Sequence, residues 1–120
     1  MGRNEDLTSL DADALSSAIH GRRVSCREVM GAYLERIHRS NPRLNAVVSL
    51  APDEVLLRQA DERDAELAQG RSRGWLHGIP QAIKDASPVT GFPNTLGSPL
   101  LADFVPARDS VMAARMKAAG

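Results

Sequence analysis

The run G-I-P-Q-A-I-K-D, residues 78 to 85, places one lysine, Lys84, at the end of a short and largely uncharged stretch. An ammonium ion is costly to bring near a core, so such a lysine has two ordinary outcomes. In the first its stem packs against apolar neighbours while the charged head reaches water. In the second the group is held in a partly desolvated place. Desolvation disfavours the charged form, and a neutral amine can accept a proton. Serine–lysine hydrolases use a base of that kind to activate a serine hydroxyl. Spacing alone favours the first outcome.

Other side chains with chemical capacity are few. Cys26 is the single cysteine, which excludes an internal disulfide and gives no sign of an oxidising compartment. It reads as a small residue in the first turn of a helix rather than as a nucleophile, because no local motif supports reactivity. His20 and His38 fall near predicted helix ends, where imidazolium interacts favourably with the dipole. His77 falls in the L-H-G-I-P turn. None has a ligand partner at a useful spacing, so no metal site is expected. Neither G-x-G-x-x-G nor G-x-x-x-x-G-K-[ST] occurs, and no cofactor is expected.

Composition narrows the class further. The chain has 120 residues, 42% hydrophobic and 25% charged, in the range of one small globular domain. Fifteen basic residues balance fifteen acidic ones, which argues against a general polyanion binder. One Trp, one Tyr and two Phe are too few for base-stacking platforms, so direct nucleic-acid binding has no support. No apolar stretch approaches the roughly 18 residues of a membrane span. The opening M-G-R-N-E-D-L-T-S-L lacks the basic-then-apolar order of a secretory signal, and a cytoplasmic location is the expectation.

The elements that must position Lys84 follow from periodicity and punctuation. Residues 1 to 8 read as a flexible arm. A short helix fits D-A-D-A-L-S-S-A-I-H-G, with Asp11 as N-cap, Leu15 and Ile19 one turn apart, and Gly21 as the stop. The next helix opens on Ser25-x-x-Glu28, a capping-box spacing, with Val24 and Val29 fitting a hydrophobic staple. Val29, Met30, Tyr33, Leu34 and Ile37 mark its apolar face, and Asn41-Pro42 is predicted to end it. Residues 44 to 50 are short, apolar and partly β-branched, which predicts a strand. From Pro52 a highly charged helix runs to Gly70, with Leu56, Ala60 and Leu67 inward and the charges on a solvated face.

After the polar linker R-S-R-G, residues 78 to 84 alternate: Ile79, Gln81 and Ile83 on one side, Pro80, Ala82 and Lys84 on the other. That predicts a strand which Pro80 restricts to an edge or a start. Residues 86 to 106 form a loop rich in Gly, Pro and Thr. A helix closes the chain, with Asp109 or Ser110 as N-cap and Lys117 near its favourable C-terminal end. Two strands are too few for a sheet of their own. The order helix, helix, strand, helix, strand, loop, helix therefore reads as the opening of a larger α/β protein.

The stretch L-H-G-I-P-Q-A-I-K-D-A-S-P-V-T-G-F-P-N-T-L-G-S, continuing to the final Ala119-Gly120, resembles the amidase signature family. Members carry a similar G-[IV]-P-x-x-[IV]-K-D run, a glycine turn, a T-x-G-S segment and a helix ending in Ala-Gly. Here these are Gly78 to Asp85, Gly91, Thr95 to Ser98, and residues 110 to 120. The upstream helix and V-V-S-L segment is similar too, so the likeness spans about residues 8 to 120. It implies an α/β fold with a mixed sheet flanked by helices, incomplete in this chain. Residues 9 to 43 would be its helical region, and residues 44 to 120 the start of the α/β core.

The resemblance also implies a Ser–cis-Ser–Lys triad that hydrolyses a carboxamide. The family lysine matches Lys84, which takes a proton from a middle serine. That serine relays the effect to a nucleophilic serine, which attacks the carbonyl. Backbone N–H groups stabilise the oxyanion, each worth about 3 kcal/mol. The Gly/Ser-rich segment that carries both serines is absent here; Ser98 precedes the final helix, and Ser87 matches no family nucleophile. The chain also reads K-D-A-S-P where many members read K-D-N-I or K-D-L. Implied partners are a small amide substrate and the remaining C-terminal part of the same domain, with a homo-oligomer left open. Two alternatives stand beside the amidase. One is the amidase-like subunit of a tRNA-dependent amidotransferase, which releases ammonia from glutamine. The other is a non-enzymatic helical adaptor, against which the long loop counts.

Overall fold

In the computed structural model, which describes residues 7–120, the Ser25-x-x-Glu28 spacing forms a reciprocal cap. The Ser25 side chain accepts the Glu28 N–H at 3.0 Å, and the Glu28 carboxylate accepts the Ser25 N–H at 2.9 Å. Donors that a helix start would leave over are thereby satisfied. Capped this way is α2 (Cys26–Leu44), preceded by α1 (Ala12–His20) and followed by α3 (Asp53–Ala68) and α4 (Val111–Ala119). A 3-10 turn lies at Pro99–Leu101. The Asp11 side chain caps α1 through the Ala14 N–H, and the Ser110 hydroxyl caps α4 through the Ala113 N–H.

The core lies where α1, α2 and α3 meet. Leu15 and Ile19 of α1, Cys26 and Val29 of α2, and Ala60 of α3 form one buried cluster. Val24, Met30, Tyr33, Leu67 and Ile79 pack against it. Each fully buried Leu, Ile or Val side chain contributes roughly 1.5–3 kcal/mol. Polar hooks set how the helices dock. Asp64 of α3 accepts the Cys26 N–H at 2.7 Å and the Arg27 N–H at 3.0 Å, so one helix caps the start of another. The His38 ring donates to the Asp53 carboxylate at 2.8 Å, joining α2 to the first turn of α3.

Several expectations change on folding. Residues 1–6 of the predicted arm lie outside the described residues. Leu7 is buried, and Arg36 donates to the Thr8 carbonyl at 3.2 Å and hydroxyl at 3.0 Å, so residues 7 and 8 are docked. Helix α2 continues through Pro42 to Leu44 rather than ending at Asn41. Pro42 removes one bond, the one to the His38 carbonyl, and the Asn45 N–H still closes the last turn on the Asn41 carbonyl at 2.7 Å. His38 therefore sits inside α2 and not at its end. The charged face of α3 is not simply solvated: Asp64 caps α2, and Glu66 forms a two-bond pair with Arg73 of the linker.

The two predicted strands are not formed, and no strand or mixed sheet occurs among the described residues. Asn41 explains residues 44 to 50. Its side chain accepts the Ala46 and Val47 N–H groups, each at 2.9 Å, and donates to the Val47 carbonyl at 2.9 Å. Those backbone groups are satisfied by a turn instead of a ladder. In residues 78 to 84, Gly78 has φ +76°, the Ile79 N–H bonds the Leu76 carbonyl in a turn, and Pro80 offers no N–H. A strand exists only through pairing, and neither segment finds a partner here.

Candidate active site

Residues 86 to 106 contain only the short 3-10 turn, yet carboxylates hold their path at both ends. Asp85 makes the inner closure. Its Oδ1 accepts the Thr95 N–H at 2.8 Å and the Asn94 side-chain amide at 3.2 Å, and its Oδ2 accepts the Thr95 hydroxyl. The Asn94 amide also donates to the Asp85 carbonyl at 3.2 Å, and the Asn94 N–H donates to the Phe104 carbonyl at 2.9 Å. Asn94 is buried by this closure. The T-x-G-S segment turns tightly, with Leu96 at φ +51° and Gly97 at φ +71°. Ser98 then caps the 3-10 turn, accepting the Leu100 N–H.

Asp109 makes the outer closure. It accepts the Thr90 N–H at 2.7 Å and pairs with Lys117 at 2.9 Å, while the Ser110 N–H bonds the Pro88 carbonyl at 2.8 Å. Of the two predicted N-caps, Ser110 takes the role and Asp109 pins the loop. Lys117 reaches back to Asp109 along α4.

The same bonds set the charge states. The Thr95 hydroxyl, then the Thr95 N–H, hold the Asp85 carboxyl below its ordinary 3.8. The Thr90 N–H, then Lys117, hold the Asp109 carboxyl below the same value. A carboxyl lowered on folding stabilises the fold fully above its unfolded value and loses that contribution as pH falls through the folded value. Acid should therefore open this loop before the helical core. Limited digestion of the whole protein by an acid-active protease, stepped from about pH 4 to 2, is expected to cut first within residues 86–106. First cuts inside α2 would contradict this.

Lys84 itself is exposed, and its ammonium meets no partner among the described residues. Its carbonyl accepts the Ser87 N–H at 3.0 Å, closing a turn directly after it. The backbone on which Lys84 sits is thus tied to T-x-G-S, whereas its side chain is free. Ser98 and Ser87 serve local turns.

A second cluster is structural. The Cys26 thiol is buried and pushed up to about 12, by burial first and then by its bond to Asp64. Since the thiolate is the reactive form, this cysteine is inert. Gly78 packs directly on it: a Cβ there would lie 2.3 Å from the Cys26 Sγ. His77 is buried with both ring nitrogens engaged. Nδ1 accepts the Arg73 N–H at 3.1 Å, and Nε2 donates to the Arg63 carbonyl at 2.8 Å. At the end of α4, Gly120 has φ +129°, and a Cβ on it would sit 2.2 Å from the His77 backbone nitrogen. His20, the third histidine, lies 2.8 Å from the Ser72 hydroxyl. The closing roles of Asp64, Asp85 and Asp109 are not evident from sequence. Their only local signal is the Lys84-Asp85 pair with Asn94-Thr95 downstream in the same loop.

Comparison with known proteins places this geometry in a family. The family model described as Amidase matches residues 28–120. The chain is 39% identical over 115 residues to a glutamyl-tRNA(Gln) amidotransferase subunit of Bdellovibrio bacteriovorus, covering 96% of this chain and 23% of that protein. It is 33% identical over 114 residues to Putative amidase AmiD of Mycobacterium tuberculosis, covering 95% of this chain and 24% of that one. Its structure superposes with a TM-score of 0.86 on the peptide amidase PAM in complex with the competitive inhibitor chymostatin, at 36% identity, covering 96% of this chain and 24% of that chain. Native peptide amidase from Stenotrophomonas maltophilia gives 0.83 at 37% identity, with coverage of 92% and 23%. The chain thus spans about a quarter of the length of the relatives it matches. With the match running through Lys84, Asp85 and the T-x-G-S turn, the chain belongs to the amidase family.

Proposed function

We propose that residues 1–120 supply the N-terminal part of an enzyme that hydrolyses a carboxamide to a carboxylate and ammonia or an amine, with Lys84 as its general base. The observation that carries this reading is the contrast between the two lysines of the chain. Lys117 is spent on an ion pair with Asp109, whereas Lys84 extends unpartnered among the described residues from a backbone tied down on its far side. A free amine on a fixed backbone is what a base needs when the group it must reach is supplied from elsewhere.

In the proposed reaction Lys84, neutral at that moment, takes the proton of a middle serine, which draws the proton of the nucleophilic serine. The nucleophile's oxygen bonds the amide carbon, and backbone N–H groups stabilise the oxyanion. The C–N bond then breaks as a proton returns to the leaving nitrogen. Water attacks the acyl-enzyme, releasing the carboxylate and the serine hydroxyl. Both serines and the oxyanion donors belong, in this reading, to the remaining part of the domain. Packing of that part around residues 78 to 98 would enclose the amine and exclude water from it.

A second reading is supported by the 39% identity to the amidotransferase protein: ammonia is released from glutamine and passed to a partner protein. Assaying the full-length protein against peptide amides, simple aryl amides and glutamine separates the two. Turnover of amides without added proteins is the expected result. Glutamine hydrolysis alone, appearing only when partner proteins are added, would favour the second reading. No turnover of any amide under either condition would reject both.

A further inference from the structure

Lys84 follows a stretch outside regular structure and precedes the loop of residues 86 to 106, so neither a helix nor a ladder fixes its backbone. The neighbouring residue does. Asp85 gathers the Thr95 N–H, the Thr95 hydroxyl and the Asn94 amide on its carboxylate, and its carbonyl accepts the same Asn94 amide. Asn94 is buried, and its N–H is bonded to Phe104 across the loop. The far limb is pinned by Asp109 to Thr90 and Lys117, and the end of α4 packs on His77 just ahead of Gly78. The bonds therefore close a circuit around the Lys84 peptide without touching its side chain.

A carboxylate suits this task because it only accepts, and both of its oxygens here face donors. An amide of the same shape would turn its NH₂ group either toward the Asn94 and Thr95 N–H donors, which cannot accept it, or toward the Thr95 hydroxyl, which already accepts the Gly97 N–H and would lose its charged acceptor. We propose that Asp85 is a positioning residue for Lys84 in amide hydrolysis: bonded across the loop to Asn94 and Thr95, it holds the Lys84 backbone in place and leaves the amine free to reach the reacting serine. This inference rests on Lys84 being the base.

The test is kinetic and uses the full-length protein with an aryl amide. Asp85→Asn is expected to lower kcat about 100-fold, the scale of loss that a displacement of about 1 Å produces, with KM nearly unchanged. Hydrogen exchange followed by mass spectrometry should show faster exchange in residues 93–98 of this variant. Thr95→Val, which removes one donor to Asp85, should lower kcat about tenfold, and Thr95→Ser should restore most of that loss. Wild-type kcat in Asp85→Asn beside an inactive Lys84→Ala overturns this inference alone. Full activity in Lys84→Ala overturns the base reading and this inference with it. Should Asp85→Asn fail to fold, the Thr95 pair decides, and equal kcat in Thr95→Val and Thr95→Ser overturns the inference.

Discussion

Lys84→Ala is expected to lower kcat of the full-length enzyme roughly 10²–10⁴-fold, the range that a positioned general base contributes. KM should change little, because the base acts on a serine and not on the bound amide. The fold should not notice the substitution. Among the described residues the Lys84 ammonium bonds nothing, so the contacts within residues 7–120 should survive its removal. That separates a catalytic loss from a folding loss. Lys84→Arg should recover little, since a guanidinium remains protonated and cannot accept the serine proton. Near-normal turnover in the arginine variant, measured with an aryl amide, would overturn the general-base role.

Residues 1–120 alone are expected to hydrolyse no amide, because the proposed mechanism needs two serines and oxyanion donors beyond these residues. The surface points the same way. Leu100 is 94% exposed, Leu44 and Val111 70%, and Val48 60%, with Leu96, Phe104 and Met112 also open to solvent. The radius of gyration, 14.9 Å, exceeds the roughly 13.6 Å of a compact domain of this length. Apolar surface of this extent calls for a covering partner. The isolated segment should bind a hydrophobic dye, unfold with weak cooperativity and gain order when the remaining part of the domain is added in trans. The checks are denaturant unfolding and an assay with aryl amides. A sharp two-state transition from a monomer would overturn the incomplete-domain reading, and turnover lost on Lys84→Ala would overturn the claim of inactivity.

What the sequence determined by itself is local. The Asp11, Ser25 and Ser110 caps, the Ser25–Glu28 box and the stop near Gly70 rest on interactions within one turn, and the apolar face around Val29 and Leu34 shows in helical spacing, so a few residues specify them. The base role proposed for Lys84 comes from the sequence only because G-I-P-x-x-I-K-D and T-x-G-S stand together in one chain. Tertiary structure decided everything that depends on partners distant along the chain. Residues 44 to 50 and 78 to 84 have strand patterning, but patterning supplies no neighbour. Asn41 and the Gly78 turn take up local backbone groups instead. Asp64 reads in the sequence as an ordinary surface acid, Asp85 only as the end of the K-D run, and Asp109 as a candidate N-cap. Only the folded path brings Cys26 and Arg27 to the first, Asn94 and Thr95 to the second, and Thr90 and Lys117 to the third. A carboxylate's role is set by the donors around it, and across a loop those donors are chosen by geometry rather than by spacing.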